Sequence, residues 1–328
     1  MRYDVFGMCN ALFDLQAEVD YDMLSDLALT PGSMHLLDAD QHAALVSRVR
    51  PRIVNQAAGG SGANTMIGIA ALGGTACFTS RVGADEFGRA YRRSLAEAGV
   101  FPNLAQGSGS TGLCVVLITP DKQRTMCTYL GEGRNLTPAD VVHDDLAESR
   151  ILYVTGYLWD TESQMQAVGT ALAAARERSI PIALSLSDTF CIARHRDDFR
   201  QLLDDCVSIV FANDAEARQL MECTDVTEAA RAIGSSERAA FITLGAQGSL
   251  VACDGSVTHV DATPVEPVDT TGAGDAFAAG VLFGLTRGMS YREAAVIGAD
   301  LAASVVGRLG PRPPTVSRPG NDAQSHSL

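Results

Sequence analysis

The sequence predicts an α/β protein, a doubly wound parallel sheet flanked by helices with a small β-sheet lid. Short apolar runs typical of buried strands alternate with longer helical patterns along most of the chain. Two separated segments, about 12–38 and 110–131, break this alternation with short β-rich runs joined by turns. At 328 residues the chain is long enough for one large domain with a sizeable core.

The elements follow from these patterns in chain order. Tyr3–Cys9 is an apolar run ended by Asn10, which predicts a buried strand whose carboxyl end opens into a loop. Further strands are predicted at Arg52–Gln56, Thr75–Ser80, Ile151–Thr155, Ile182–Leu186, Val207–Phe211 and Phe241–Leu244. Helices are predicted at Ser61–Leu72, Glu86–Ala98, Ser163–Glu177, Asp214–Met221, Val226–Ile233, Ala273–Leu285 and Tyr291–Val306. We therefore assign 1–310 to one domain and 311–328, which starts Pro-Arg-Pro-Pro, to a loose C-terminal tail.

Composition excludes several classes of protein. The formal net charge is −14, which argues against nucleic acid or an anionic membrane as a partner. No apolar run reaches the roughly 18 residues that a membrane-spanning helix needs.

The eight cysteines are scattered without a C-x-x-C pair, and the start of the chain lacks a secretory pattern, so a reducing cytoplasm is the expected location. Lys122 is the single lysine, and no P-loop surrounds it.

The strongest local signal is the run Asp269-Thr270-Thr271-Gly272-Ala273-Gly274-Asp275, which leads straight into an apolar helix. Its small side chains leave the backbone N–H groups of Gly272, Ala273, Gly274 and Asp275 free to converge on an anion, with the helix dipole behind them. Asp275 is placed to accept a proton from an attacking hydroxyl while the amides stabilise a transferring phosphoryl group. The alternative is an ordinary capped helix with a glycine-rich start.

A second glycine-rich run, Gly59-Gly60-Ser61-Gly62-Ala63-Asn64, also enters a helix of small residues. Gly59 and Gly60 would let a ligand approach the backbone, and Asn64 offers both a donor and an acceptor to a sugar-like hydroxyl. The alternative explanation is tight packing of this helix against the sheet.

Asn213 and Glu216 follow a predicted strand and open a helix. Asparagine at the cap with glutamate three residues later predicts a capping box. The same carboxylate could instead hold water on a magnesium ion that is bound to phosphates.

Two weaker features bear on a nucleotide. The run from Thr243 through Gly245 to Gly248 ends another strand in glycines, where open α/β sheets usually bind ligands. Arg124, in the predicted lid, could bring a positive charge to phosphates, although an exposed strand arginine explains it equally well.

Together the two glycine-rich runs resemble the two signatures of the PfkB carbohydrate kinase family, which has the ribokinase-like fold. The resemblance extends from about Tyr3 to about Pro313. It implies an ATP-dependent kinase with Asp275 as the catalytic base and Gly272 to Asp275 as the anion hole. It further implies that Asn213 and Glu216 organise Mg²⁺.

The same resemblance implies that Thr243 to Gly248 line the nucleotide and that Arg124 meets the phosphates. Asp269 and Thr271 resemble the monovalent-cation site of ribokinase-type members, which leaves potassium as an open second cation. Both monomers and homodimers paired through the lid are compatible with this family.

The start of the chain bears on the substrate. Gly7-Met8-Cys9-Asn10-Ala11-Leu12-Phe13-Asp14 is similar to the adenosine-kinase branch, in which an asparagine and an aspartate four residues later bind ribose hydroxyls. A vicinal diol fits the Asp14 carboxylate, which can accept both hydroxyl protons, and Asn10 and Asn64 are further partners. We therefore expect phosphorylation of the 5′-hydroxyl of a purine nucleoside, with adenosine first and inosine or guanosine next.

The lid residues Met34, Leu36 and Tyr129 are predicted to form the wall against the base. One alternative keeps the chemistry and changes the acceptor to ribose, a keto-sugar or a sugar acid. Another is a dinucleotide-dependent oxidoreductase, but Gly7-Met8-Cys9-Asn10 after the first strand is not the G-x-G-x-x-G fingerprint. A catalytically silent sensor would bind nucleoside without releasing ADP.

Overall fold

The structure, a computed structural model, describes residues 1–121 and 123–314; Lys122 and the tail residues 315–328 lie outside the described residues. In chain order its strands are β1 (Tyr3–Met8), β2 (Leu12–Glu18), β3 (Met34–Leu36), β4 (Ile53–Gly59), β5 (Ala76–Gly83), β6 (Val100–Gly107), β7 (Gly112–Ile118), β8 (Arg124–Tyr129), β9 (Ser149–Thr155), β10 (Ile182–Ser185), β11 (Ile209–Asn213), β12 (Ala239–Thr243), β13 (Ser249–Cys253) and β14 (Ser256–Val260). The helices are α1 (Tyr21–Asp26), α2 (Ala39–Val49), α3 (Ser61–Ala71), α4 (Glu86–Glu97), α5 (His143–Ala147), α6 (Glu162–Glu177), α7 (Thr189–Asp205), α8 (Asp214–Met221), α9 (Val226–Ile233), α10 (Ala273–Thr286) and α11 (Tyr291–Val306). The predicted α/β class is confirmed.

The large sheet has nine strands in the order β14-β13-β12-β11-β10-β9-β1-β5-β6. Neighbours from β12 to β6 are parallel, whereas β13 and β14 form an antiparallel hairpin at one edge. The predicted doubly wound parallel sheet is thus extended at this edge by an antiparallel hairpin. The hairpin turns at Asp254 and Gly255, both with positive φ, and an Asp-Gly pair between two short apolar runs is the sequence signal for such a turn.

Both faces of the large sheet are covered, which explains the uninterrupted apolar runs of its strands. In β1, Val5 belongs to one hydrophobic cluster and Phe6 to the other, since successive side chains point to opposite faces. Helices α3, α10 and α11 contribute to the first cluster, and α6 to α9 to the second. The strands thus form the middle of a three-layer arrangement.

The second sheet has five strands in the order β3-β8-β7-β2-β4. The two segments predicted to form the lid supply four of these strands. The fifth, β4, was predicted as part of the strand–helix alternation of the large sheet, but it pairs antiparallel with β2. Val54, Asn55 and Gln56 are exposed, as an edge strand of a small sheet allows and a central strand does not.

The chain beyond Gly310 is packed where it is described. Pro311 lies against Gly272, and Arg312 donates to the Ala58 carbonyl and to Ser94 Oγ. The Arg312 guanidinium therefore anchors residues 311 and 312 to the domain, whereas residues 315–328 of the predicted loose tail lie outside the described residues.

Within residues 1–121 and 123–314, no helix is long and apolar enough to cross a membrane. All eight cysteines are free thiols and five of them are buried, in agreement with their positions in apolar runs.

Helices α10 and α11 approach each other closely through two glycines. A β-carbon on Gly280 would lie 2.6 Å from the Gly298 α-carbon. We expect Gly280→Ala to lower the free energy of unfolding by about 1–3 kcal/mol, because the helices would have to separate. Urea unfolding followed by circular dichroism measures this change.

The matched control is Gly169→Ala on α6, where a β-carbon would contact nothing within 4 Å. That substitution should stabilise the protein by about 0.5–1 kcal/mol through helix propensity alone. Equal effects of the two substitutions would contradict the proposed packing constraint.

Candidate active site

A cavity of about 400 Å³ lies between the second sheet and the carboxyl ends of the parallel strands. The second sheet roofs it with alternate residues, since Asp14 on β2, Val116 on β7 and Met126 on β8 all line the cavity. The predicted site residues that line it are Asn10, Asp14, Gly60, Asn64, Arg124, Asn213, Glu216, Thr243, Thr271, Gly272, Ala273, Gly274 and Asp275. The predicted residues outside this lining are Gly59, Gly245, Gly248 and Asp269.

Asp275 is held by the glycine-rich run 59–64. Ser61 Oγ donates to Asp275 Oδ1 at 2.6 Å, and Asn64 Nδ2 donates to Oδ2 at 3.0 Å. Burial raises the pKa of the Asp275 carboxyl, while the hydrogen bonds from Ser61 and Asn64 lower it. Asn64, predicted to bind substrate, therefore orients the carboxylate, and its Oδ1 has no partner among the described residues.

The loop before Asp275 leads into the start of α10 at the edge of the cavity. Gly272 caps α10 with φ of 76°, a left-handed conformation that glycine adopts without strain. The N–H of Ala273 donates to the Thr270 carbonyl at 3.2 Å. The N–H groups of Gly274 and Asp275, in the first turn of the helix, have no carbonyl one turn before them within the helix. Gly274 and Asp275, at the positive end of α10, both line the cavity.

Arg124 reaches from the second sheet to this loop. Its Nη2 lies 2.6 Å from Asp269 Oδ2, and its Nη1 donates to Thr271 Oγ1 at 3.1 Å. Asp269, which is buried, also accepts from the N–H groups of Thr271 at 3.0 Å and Gly310 at 2.7 Å. An exposed strand arginine is therefore excluded, and the guanidinium ties the roof of the cavity to its floor.

Asn213 and Glu216 form the predicted capping box. Asn213 Oδ1 accepts from the Glu216 N–H at 2.8 Å, and the Glu216 carboxylate accepts from the Asn213 N–H at 3.0 Å and from its Nδ2 at 2.7 Å. Burial, together with the Asp188 charge, raises the pKa of Glu216 to about 7, against the lowering effect of the Asn213 N–H. Both side chains also line the cavity.

Asn10 has a partner that sequence reasoning missed. Gln164 Nε2 donates to Asn10 Oδ1 at 2.6 Å, and Asn10 Nδ2 donates to the Tyr157 carbonyl at 3.2 Å. Gln164 lies in the first turn of α6, where a polar side chain is ordinary, so no local signal marks it. These contacts fix the Asn10 amide and leave it one N–H and one lone pair for a ligand.

The apolar wall of the cavity differs in part from the predicted one. Met34 and Leu36 line the cavity as predicted. Tyr129 does not, because its ring packs against His42 with centroids 5.5 Å apart. Strand β8 alternates its faces, so Met126 and Thr128 point into the cavity and Tyr129 points away.

The fold and this cavity define a kinase of the ribokinase-like class, an ATP-dependent enzyme that transfers a phosphoryl group to a hydroxyl. The chain belongs to the pfkB family of carbohydrate kinases, whose description matches residues 33–318.

Three relatives place it within the family. The crystal structure of adenosine kinase from Sinorhizobium meliloti is 37% identical, with a TM-score of 0.88 over 95% of this chain and 96% of that one. A probable sugar kinase from Rhizobium etli is 35% identical, with the same TM-score over 95% of each chain. The adenosine kinase of Saccharomyces cerevisiae is 30% identical over 93% of this chain and 95% of its own.

Ser61 was not among the predicted site residues, although it lies in the glycine-rich run 59–64. We expect Ser61→Ala to lower kcat about tenfold, since one charge-assisted hydrogen bond to the Asp275 carboxylate is lost. That bond lowers the pKa of Asp275, so its loss raises the pKa and moves the acid limb of the kcat profile to higher pH.

The kcat of Ser61→Ala and of a control variant is measured as a function of pH with the enzyme's phosphoryl acceptor. Ser304→Ala on α11, whose hydroxyl donates to the Leu301 carbonyl of the same helix, is the control and should leave kcat unchanged. An unshifted acid limb in Ser61→Ala would show that Ser61 does not act through Asp275.

Proposed function

We propose that this protein is an adenosine kinase that transfers the γ-phosphoryl group of ATP to the 5′-hydroxyl of adenosine. The observation that carries the proposal is one cavity with a half-buried carboxylate at each of two positions. Asp275 lies in the first turn of α10, and Asp14 lies under the roof. The adenosine kinases of Sinorhizobium meliloti and yeast, both matched over nearly the whole chain, support the choice of acceptor.

In this proposal Asp275 accepts the proton of the attacking hydroxyl. Its raised pKa makes it a stronger base than an exposed carboxylate, and Ser61 and Asn64 hold it in a fixed orientation. The N–H groups of Gly274 and Asp275 then stabilise the charge that develops on the transferring phosphoryl group.

Asp14 would accept hydrogen bonds from the 2′- and 3′-hydroxyls of the ribose, and Asn10 would supply one more polar contact. Among the described residues, no hydrogen bond contributes to the pKa of the Asp14 carboxyl, so its oxygens are available to a diol. Met34, Leu36 and Met126 would contact the purine from the roof. A diol clamp at one end and apolar side chains at the other suit a nucleoside.

The phosphate donor would lie between Arg124 and the loop from Thr243, with Glu216 and Asn213 near its phosphates. These residues fit Mg²⁺ held through water, because a cation would relieve the repulsion between Asp188 and Glu216 that raises the pKa of Glu216. When bound, Mg²⁺ would neutralise charge on the phosphates.

A potassium ion fits poorly at the predicted position, which is formed by Asp269 and Thr271. Asp269 already accepts from Arg124 and from two backbone N–H groups, and the guanidinium neutralises its charge. We therefore propose that Arg124 takes the place of a monovalent cation at Asp269, so that turnover in sodium should equal turnover in potassium.

A sugar kinase is the second candidate, favoured by the 35% identity to the probable sugar kinase from Rhizobium etli. Ribose carries the same diol that Asp14 would bind. The apolar roof of Met34, Leu36 and Met126 would then contact no part of the acceptor.

ADP release from Mg-ATP tests the acceptor directly. Adenosine, inosine, guanosine, ribose and fructose are compared in potassium and in sodium buffer, with ATP alone as the blank. We expect adenosine to be the best acceptor and ribose to be inactive, because ribose leaves the apolar roof uncovered. Turnover of ribose or fructose without turnover of adenosine would make the protein a sugar kinase.

Asp275→Asn tests the base. The amide keeps the size of the side chain and cannot accept the proton, so we expect kcat to fall about 10² to 10⁴-fold. Adenosine binding, measured by calorimetry without ATP, should change little. Near-native turnover of a folded variant would remove Asp275 from the mechanism.

A further inference from the structure

The carboxylate of Asp14 lies where few groups stabilise its negative charge. It lies on β2 between Ala57 of β4 and Cys114 of β7. A β-carbon on Gly59 would stand 2.1 Å from Asp14 Oδ2, so the backbone of β4 closes one side of the carboxylate. A carboxylate in such a position needs a nearby positive charge to stay ionised.

Arg312 supplies a half-buried guanidinium that contacts the backbone of β4. Its Nη2 donates to the Ala58 carbonyl, and its Nη1 donates to Ser94 Oγ on α4 at 3.1 Å. Its Nε is buried without a hydrogen-bond partner in the described part of the chain. No carboxylate forms an ion pair with Arg312 among these residues, so its positive charge is not neutralised by direct contact.

Arg312 is also joined to the phosphate site. It follows Pro311, which lines the cavity and contacts Gly272 at the anion hole, and the Gly310 N–H donates to Asp269 at 2.7 Å. One short segment after the last helix therefore connects the loop at the phosphates to the strand beside Asp14.

We propose that Arg312 is a positioning residue for the acceptor, which keeps the Asp14 carboxylate ionised and in place to bind the diol. The proposal rests on the proposed function insofar as Asp14 contacts the acceptor. It assigns a role in substrate binding to a segment whose sequence indicates only a tail.

The charged and titratable groups around Asp14 come from five elements. Arg312 and Arg124 favour the ionised carboxylate, whereas Asp275 on α10 opposes it. Tyr91 on α4 and Cys114 on β7 stay neutral, since burial raises the pKa of each well above its usual value.

Burial raises the pKa of Asp14 to about 7, against the lowering effects of Arg312 and Arg124. Removing the charge of Arg312 should raise this pKa further. As the pH is lowered, the Asp14 carboxylate would then become protonated at a higher pH than in the wild type. At pH 7, a rise of one unit reduces the ionised fraction about fivefold.

Three variants separate charge from packing. Arg312→Met removes the charge and keeps most of the side-chain volume, Arg312→Lys keeps the charge and loses the two-pronged contact with Ala58 and Ser94, and Arg308→Met removes an exposed arginine from the same segment. KM for adenosine and kcat are measured from pH 5.5 to 9, and the melting temperature of each variant is recorded.

For Arg312→Met we expect KM at pH 7 to rise about fivefold, kcat to change less than twofold, and the acid limb of kcat/KM to move to higher pH. Arg312→Lys should restore the acid limb even where its melting temperature is lower. Arg308→Met should match the wild type.

An acid limb in Arg312→Met that coincides with that of Arg308→Met would overturn the inference, whatever happens to the melting temperature. If Arg312→Met does not fold, the comparison of Arg312→Lys with Ser94→Ala decides, since both keep the charge and both should keep the wild-type acid limb; a shift in either overturns it. A wild type that phosphorylates ribose instead of adenosine refutes the proposed function alone, and the comparison is then made with ribose.

Discussion

The contact between two helix starts is the constraint on which the rest of the site depends. Ser61 and Asn64 at the start of α3 hold both oxygens of Asp275 at the start of α10. Neither helix can shift along the sheet without breaking a hydrogen bond to a buried carboxylate, which is a costly group to leave unpaired. The small residues of both helices allow this approach, and Gly280 against Gly298 holds α10 to the helix behind it.

The roof of the cavity is fixed relative to this floor by arginines. The chain has a net charge of −14, yet Arg124 lines the cavity and Arg312 lies beside β4. Arg124 joins β8 to Asp269, and Arg312 joins the C-terminal segment to β4. An acidic protein thus places positive charge next to the cavity, and the overall charge does not reveal this.

The second sheet shows how an edge strand serves a binding site. β4 leads directly into Gly59 and Gly60 and then into α3, so the strand that closes one side of Asp14 also sets the position of Ser61 and Asn64. The positions of Asp14 and Asp275, which the proposed function assigns to the acceptor and the base, are therefore linked through a few residues of backbone. The link explains why glycine is required at Gly59, where any side chain would collide with the Asp14 carboxylate.

The sequence by itself determined the α/β class, most helices within a residue or two, and the residues of both glycine-rich runs. These are local properties, because periodicity, capping and small side chains are decided over one or two turns of chain. Tertiary structure alone decided that β4 joins the second sheet, that Tyr129 points away from the cavity, and that Gln164 and Ser61 orient Asn10 and Asp275. It also decided that Arg312 contacts β4, since 254 positions separate it from Ala58 and no local pattern can encode that contact. Pairings between distant segments depend on which surfaces bury each other best, and that choice is made only when the whole chain folds.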